Sequence, residues 1–238
     1  GFAGPESVYF AVAGMSALAV VFTSRLPRFL PELRSVKKNV FEDISEGLKY
    51  AWNNRLVFVL LISALTTALL SMPFRMQIPV FTRRLYDIDA AEIGWLMAVI
   101  GVGGLLAAVI TANLRKGNHR GPVLLIVGIG GSGVGILLLA ISQIYVIGLA
   151  VMIVIGFAGT IQMTLGQSLT IEATDDVFRA RVMSLNMMGF GLMPLGALPM
   201  GYAIDHLGAE TTLFIVGITL IAATVLLVFG SSTIRRVS

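Results

Sequence analysis

The sequence contains no cysteine, which excludes disulfides, thiolate metal sites and a cysteine nucleophile. Charge is also scarce, since Asp, Glu, Lys and Arg make up only 13% of the chain, about half the usual soluble share. The charges present are clumped. From Gly121 to Ile171, 51 consecutive residues include none of the four charged types, a run too long for a soluble core helix. No Asp or Glu lies deep in any apolar run, so an obvious proton-relay carboxylate is missing. No lysine follows Lys116, which removes the Schiff-base lysine that a seven-helix retinal protein needs. His119 and His206 stand far apart, and neither H-E-x-x-H nor G-x-S-x-G occurs. No metal, no cofactor and no enzymatic activity are expected.

What remains is apolar: 56% of the residues are hydrophobic, and a chain of this composition is expected to cross a bilayer repeatedly. The net charge of +4 does not point to nucleic acid, because Lys and Arg sit in connectors beside apolar runs, where topology accounts for them. The chain begins at Gly1 without a basic flank before its first apolar run, unlike a signal peptide, and reads as an excerpt of something longer.

The stretch from Gln162 to Asp205 shows the pattern most clearly. A charged turn, "EATDDVFRAR" (Glu172 to Arg181), separates two apolar segments. In a soluble core each of its charges would need a partner. Between two membrane helices the turn simply sits in water. Seven runs are long enough to span: Ser7 to Ser24, Leu56 to Thr82, Ile93 to Leu114, two within Gly121 to Ile171 split near Ser142-Gln143, Val182 to Ile204, and Thr211 to Ile234. Counting Lys and Arg on alternate sides gives fourteen against two. That asymmetry predicts an outside N-terminus and a cytoplasmic C-terminus.

Residues 25–55 form the one long connector. Arg25 to Val40 is basic and carries Pro27 and Pro31, whereas Phe41, Ile44, Leu48 and Ala51/Trp52 recur at helical spacing. The second part predicts an interfacial helix on the inner leaflet, with a small soluble helix as the alternative.

Several residues inside the runs invite a functional reading. "GIGGSG" (Gly128 to Gly133) satisfies G-x-G-x-x-G, but no acidic residue follows it before Glu172 to hold a ribose. Close helix packing through small residues is the expectation instead. Arg75 is the one strongly charged residue well inside a run, near its outer end. It is either an electropositive site for an anionic substrate group or a side chain snorkelling to the outer headgroups. Thr160, Gln162, Thr164, Gln167, Ser168 and Thr170 crowd one half of their run, with Asn186 beginning the next. Buried amides need partners or water, so these residues either bond between helices or wall a cavity. Gly189, Gly191, Pro194, Gly196, Pro199 and Gly201 fall within 13 residues and predict a bend, which is a hinge if the protein rocks between two shapes and static if it does not. Gly191, Pro194 and Gly196 are the hinge candidates.

"FRARVMSL" (Phe178 to Leu185), "PLG" (Pro194 to Gly196), "GYAID" (Gly201 to Asp205), "EGLKYAWNNR" (Glu46 to Arg55) and "IPVF" (Ile78 to Phe81) together resemble the major facilitator superfamily. The closest likeness is to the branch of bacterial exporters that includes the enterobactin exporter, whose turn between helices ten and eleven commonly reads R-G-R-V-M-S, with Ala180 here in place of Gly. The resemblance implies an all-α membrane protein of seven transmembrane helices. Residues 1–24 would be the last helix of an N-terminal half, 25–55 the cytoplasmic linker, and 56–238 the six-helix C-terminal half-bundle. It further implies an inner-membrane efflux antiporter for a siderophore- or drug-like small molecule, working by alternating access with the missing N-terminal half. The lipid bilayer is then a partner and nucleic acid is not. Arg75, Gln162, Gln167 and Asn186 are the candidate cavity residues, in a pocket bounded by the second, third, fifth and sixth spans. The family's loop between helices eight and nine often carries an Asp that locks the inner gate. "LRKGNHRG" (Leu114 to Gly121) keeps Arg115, Lys116 and Arg120 but has no Asp. Pairing there would fall to Asp175 or Asp176 or be weakened, with Arg179 and Arg181 on the same cytoplasmic rim. The alternative to a transporter is a multi-span scaffold or sensor holding a partner protein.

Overall fold

The computed structural model describes residues 5–24, 40–114, 120–142 and 144–230, and every element among them is helical. Two compact units divide the chain, residues 1–38 and 39–238. The first contains α1 (Pro5–Ser24), within which Val12–Ser24 is an apolar helix shorter than a span. The second begins with an amphipathic helix, α2 (Val40–Asn53), so this part of the connector belongs with the helices that follow it.

Among the described residues, six helical segments of the second unit are long and apolar enough to cross a membrane. They are α3 (Arg55–Tyr86), α4 (Ala90–Asn113), α5 (Arg120–Ile141), α6 (Tyr145–Ala173), a broken segment Asp176–Leu207, and α9 (Ala209–Gly230). The broken segment consists of α7 (Asp176–Gly191) and α8 (Met193–Leu207). These correspond to the last six expected runs, with most ends shifted by a few residues. A helix suits a bilayer because it satisfies its own backbone polar groups where no water can do so.

The connectors are short and chemically specific. Asn54 starts α3 by accepting the Val57 N–H on its side chain at 3.3 Å. The chain leaves α3 through Asp87 in the left-handed region (φ 49°), and Asp89 opens α4 with its N–H donated to Glu92 at 3.1 Å. Gly208, at φ 85°, turns α8 into α9.

Packing is driven by small residues as much as by large ones. Phe74, Ile78 and Phe81 of α3 share a buried cluster with Ile129 and Ile136 of α5, Met152 and Ile155 of α6, and Leu213 and Leu220 of α9. At the α4–α6 crossing, Gly103 lies against the Ile153 carbonyl and Gly156 against the Ile100 carbonyl, so each helix seats its backbone in the gap left by the other's missing side chain. The "GIGGSG" stretch serves the same end: Gly128 faces Gln162 and Gly131 faces Ala158 on α6, while Gly133 faces Gly217 on α9.

α5 carries a π-helical stretch in its first half, Leu124–Gly130, and two further spans are irregular near their middle. In α3, Thr67–Ser71 forms a wide π-helical turn, and the broken segment turns at Leu192 with Pro194 at the start of α8. The two irregularities meet, because Gly196 packs directly on the Leu69 backbone. The glycines and prolines read as a bend therefore coincide with a real helix break. A helix that lacks regular backbone bonds at mid-span must be braced by a neighbour, and the wide turn of α3 is that brace.

Candidate functional site: a cavity between three spans

A cavity opens between α3, α6 and α7, enclosing about 740 Å³ including its mouth. Its α3 wall follows one helical face: Ser63, Ala64, Thr67, Ala68, Ser71, Met72 and Arg75. The α6 wall is made by Gly159, Gln162, Met163, Gly166 and Gln167, and α7 adds Asn186, Met187 and Phe190. All four residues expected to wall a cavity, Arg75, Gln162, Gln167 and Asn186, thus line the same one. The expected contribution of α4 is absent from its lining. That helix is engaged with α6 through its glycine seam instead.

Arg75 lies about 30 Å along α3 from Arg55 and about 12 Å short of Arg83, inside hydrocarbon depth for a spanning helix. Its guanidinium points across to α6, donating from Nη2 to the Ile155 carbonyl at 3.4 Å and filling the space where a Gly159 side chain would be. Gly159 is the middle residue of α6, so the charged head sits at mid-helix rather than at a helix end. That is not the geometry of a side chain reaching for headgroups. Arg75 takes part in no ion pair among the described residues.

The remaining polar groups differ in how they are satisfied. Gln162 is buried and donates its amide to the Thr67 hydroxyl, which in turn donates to the Ser63 carbonyl at 2.8 Å. In the wide turn the Thr67 carbonyl accepts from the N–H of Met72, five residues on. Ser71, immediately before Met72, is buried, yet its hydroxyl has no partner. The other buried Ser and Thr hydroxyls among the described residues all donate to nearby carbonyls. A buried unsatisfied hydroxyl costs about 1–3 kcal/mol.

Charges collect at the end of the bundle that holds α2. Arg120 is largely buried and donates to Glu172 at 2.9 Å and to Ser168 at 2.9 Å, tying α5 to α6. Arg181 donates to Asp43 at 2.9 Å and pairs with Glu46 at 3.1 Å, tying α7 to α2. Tyr50 of α2 stacks on Phe178 with ring centres 4.4 Å apart and accepts the Asp175 N–H on its hydroxyl at 3.1 Å. Arg179 pairs with Asp176 one turn away. Glu172, rather than Asp175 or Asp176, is therefore the partner of Arg120. Arg115 lies outside the described residues. The helix α2 is two-sided: Ala51 and Gly47 are buried, Gly47 against Arg181 and Leu185, while Leu48 and Trp52 remain exposed. At the opposite end Arg84 donates to Asp205 at 2.7 Å and to the Ile204 carbonyl at 2.9 Å.

Several lining residues escaped the sequence reading, chiefly Ser63, Thr67, Ser71 and Gly159. A signal was present for the first three, which with Arg75 recur every fourth residue of one apolar run. Nothing local marks Gly159, whose role is to leave room for a side chain 84 positions away.

A comparison with protein-family models matches the chain to the Major Facilitator Superfamily over residues 1–195 and again over 64–236. A search of curated proteins finds no match.

Proposed function

This chain belongs to the Major Facilitator Superfamily, a family of membrane transporters rather than enzymes, and from that premise we propose that it exports a small molecule by alternating access, with the α3–α6–α7 cavity as its part of the substrate path. The convergence of Arg75, Gln162, Gln167 and Asn186 on one cavity supports this reading, since polar side chains far apart in sequence meet where a substrate has to pass. A scaffold would bury such groups against one another and leave no opening. In this reading the six spans of residues 55–230 are the C-terminal half-bundle, and a preceding half supplies the opposite wall. The basic end faces the cytoplasm of a cell whose inner membrane holds the protein. Export, rather than import, rests on the likeness of "FRARVMSL" and its companion motifs to the enterobactin-exporter branch.

The break at Leu192, braced on the wide turn of α3, acts here as the hinge region, with Gly191, Pro194 and Gly196 around it. Arg120–Glu172 and Arg181–Asp43/Glu46 are the cytoplasmic ties that open and close with the cavity.

These 238 residues contain no cysteine, so a single one can be introduced among them, with any cysteine of a preceding half replaced by serine. A single Met187→Cys substitution in the full-length chain should react with a membrane-impermeant methanethiosulfonate from either face of sealed vesicles. Reaction from one face only contradicts alternating access. For direction, energised everted vesicles should accumulate 1-anilinonaphthalene-8-sulfonate (ANS), and Ala64→Trp, which fills the cavity, should abolish that accumulation. Accumulation in right-side-out vesicles instead would make the protein an importer.

A further inference from the structure

We infer that the cavity selects amphipathic organic monoanions, with Arg75 and Ser71 as the donors to a single carboxylate or sulfonate and Gly159 as the position that sets this selectivity. The inference rests on the transporter reading and adds the substrate class to it. Among the described residues Arg75 is the only charged one in the lining, and none of those lining residues is a carboxylate. A guanidinium has five N–H donors, and this one spends a single long bond on the Ile155 carbonyl. A cation in that position inside hydrocarbon is costly unless an anion joins it. The hydroxyl of Ser71, one helical turn before Arg75, is buried and without a partner. An incoming oxyanion would satisfy both groups at once, with the charge-assisted bonds that are the stronger kind. One cation matches one negative charge, and a second charge on the ligand would be left unpaired. The rest of the lining is apolar or weakly polar, with Met72, Met163, Met187 and Phe190 offering adaptable contact to a hydrophobic body.

Gly159 makes this arrangement possible. A Cβ built there falls on the Arg75 guanidinium, so the head can lie against α6 only because residue 159 has no side chain. Replacement by alanine would push the head away without removing its charge. Since the displaced atoms are the far end of a flexible side chain, the helices themselves need not part. Position 159 therefore controls where the positive charge is presented. Arg75 controls whether it is present at all.

The test compares two probes with the same anilinonaphthalene body: ANS, which bears a sulfonate, and N-phenyl-1-naphthylamine (NPN), which is neutral. The full-length chain is placed in phosphatidylcholine nanodiscs, and saturable binding is measured above empty discs. The expected result is a preference for ANS over NPN that falls about tenfold or more in Arg75→Ala, as loss of a charge-assisted contact implies. Gly159→Ala and Ser71→Ala should each lower the preference by a smaller factor, and Arg75→Lys should restore part of it. Saturable binding of both probes without a preference, or a preference unaltered by Arg75→Ala, overturns the inference and leaves the cavity as a binding site. Binding of neither probe overturns the cavity reading as well. In phosphatidylglycerol discs the preference should persist. Its disappearance there would give the Arg75 site to a lipid headgroup and overturn the assignment to a transported acid.

Discussion

Alanine at Gly103 should loosen the seam between α4 and α6, whereas alanine at Gly101, two residues away on the same helix, should not. The Cβ at Gly103 would overlap the Ile153 carbonyl oxygen and lie 2.9 Å from both the Ile153 carbonyl carbon and the Phe157 nitrogen. Attractive contact begins near 3.5 Å, so α4 must retreat by at least about 0.6 Å, and by more at the oxygen. The obstructing atoms are backbone, which cannot swing aside as a side chain can. Overpacking of this kind costs about 1–3 kcal/mol. At Gly101 the added methyl meets nothing within 4 Å. Both substitutions gain the same helix propensity, about 1 kcal/mol over glycine, so the difference between them isolates the contact. At about 2–4 °C per kcal/mol for a protein of this size, Gly103→Ala should melt about 2–12 °C below Gly101→Ala in detergent. Gly156→Ala removes the reciprocal gap, against the Ile100 backbone, and should behave like Gly103→Ala. Once the helices have parted, the second insertion meets less resistance, so the double substitution should cost less than the sum of the singles. Equal melting temperatures for Gly101→Ala and Gly103→Ala would refute the seam.

Other expectations follow from the same geometry. Gly196→Ala would place a Cβ 2.8 Å from the Leu69 carbonyl carbon, pushing the broken helix off its brace, so ANS transport should fall severalfold while the protein still inserts; unaltered transport would dissociate the break from function. Arg181→Ala removes the ties to Asp43 and Glu46, and trypsin should cut after exposed Lys49 severalfold faster. High salt should produce part of that acceleration in the unsubstituted protein, because these pairs are partly exposed and screened, and equal cleavage rates throughout would show that apolar packing and the Tyr50 contacts hold α2 without the ion pairs. Glu172→Gln leaves the guanidinium of Arg120 with a neutral acceptor and should lower thermal stability by about 1 kcal/mol or more, read as a lower melting temperature.

The bundle was legible where one physical rule acts along the chain. Long apolar runs, charge-free but for Arg75, gave the spans of α3 to α9, and the Gly-Pro cluster after Asn186 located the break at Leu192, because missing backbone donors and missing side chains are local properties. Polar residues in apolar runs are costly enough to be conspicuous, which is why Arg75, Gln162, Gln167 and Asn186 could be picked out singly. Their meeting in one cavity was expected from the family resemblance alone, and which helices wall that cavity depends on how α3, α6 and α7 face one another. The same limit explains the partner of Arg120: three carboxylates lie in one short turn, and only the fold decides that Glu172 is the one within reach. The wide turn at Thr67–Ser71 carried no sequence mark, for the residues there are ordinary helix residues and the extra backbone step arises from packing.

Passage of the chain through lipid, with the α2 end of the bundle inside the cell, underlies every statement about depth and access, and two single-cysteine variants test it most directly. Ser45 and Ala91 are both exposed, on α2 and at the start of α4. With an impermeant maleimide applied to intact cells, Ala91→Cys should be labelled at once and Ser45→Cys only after permeabilisation. Labelling of Ser45→Cys in intact cells would contradict the account.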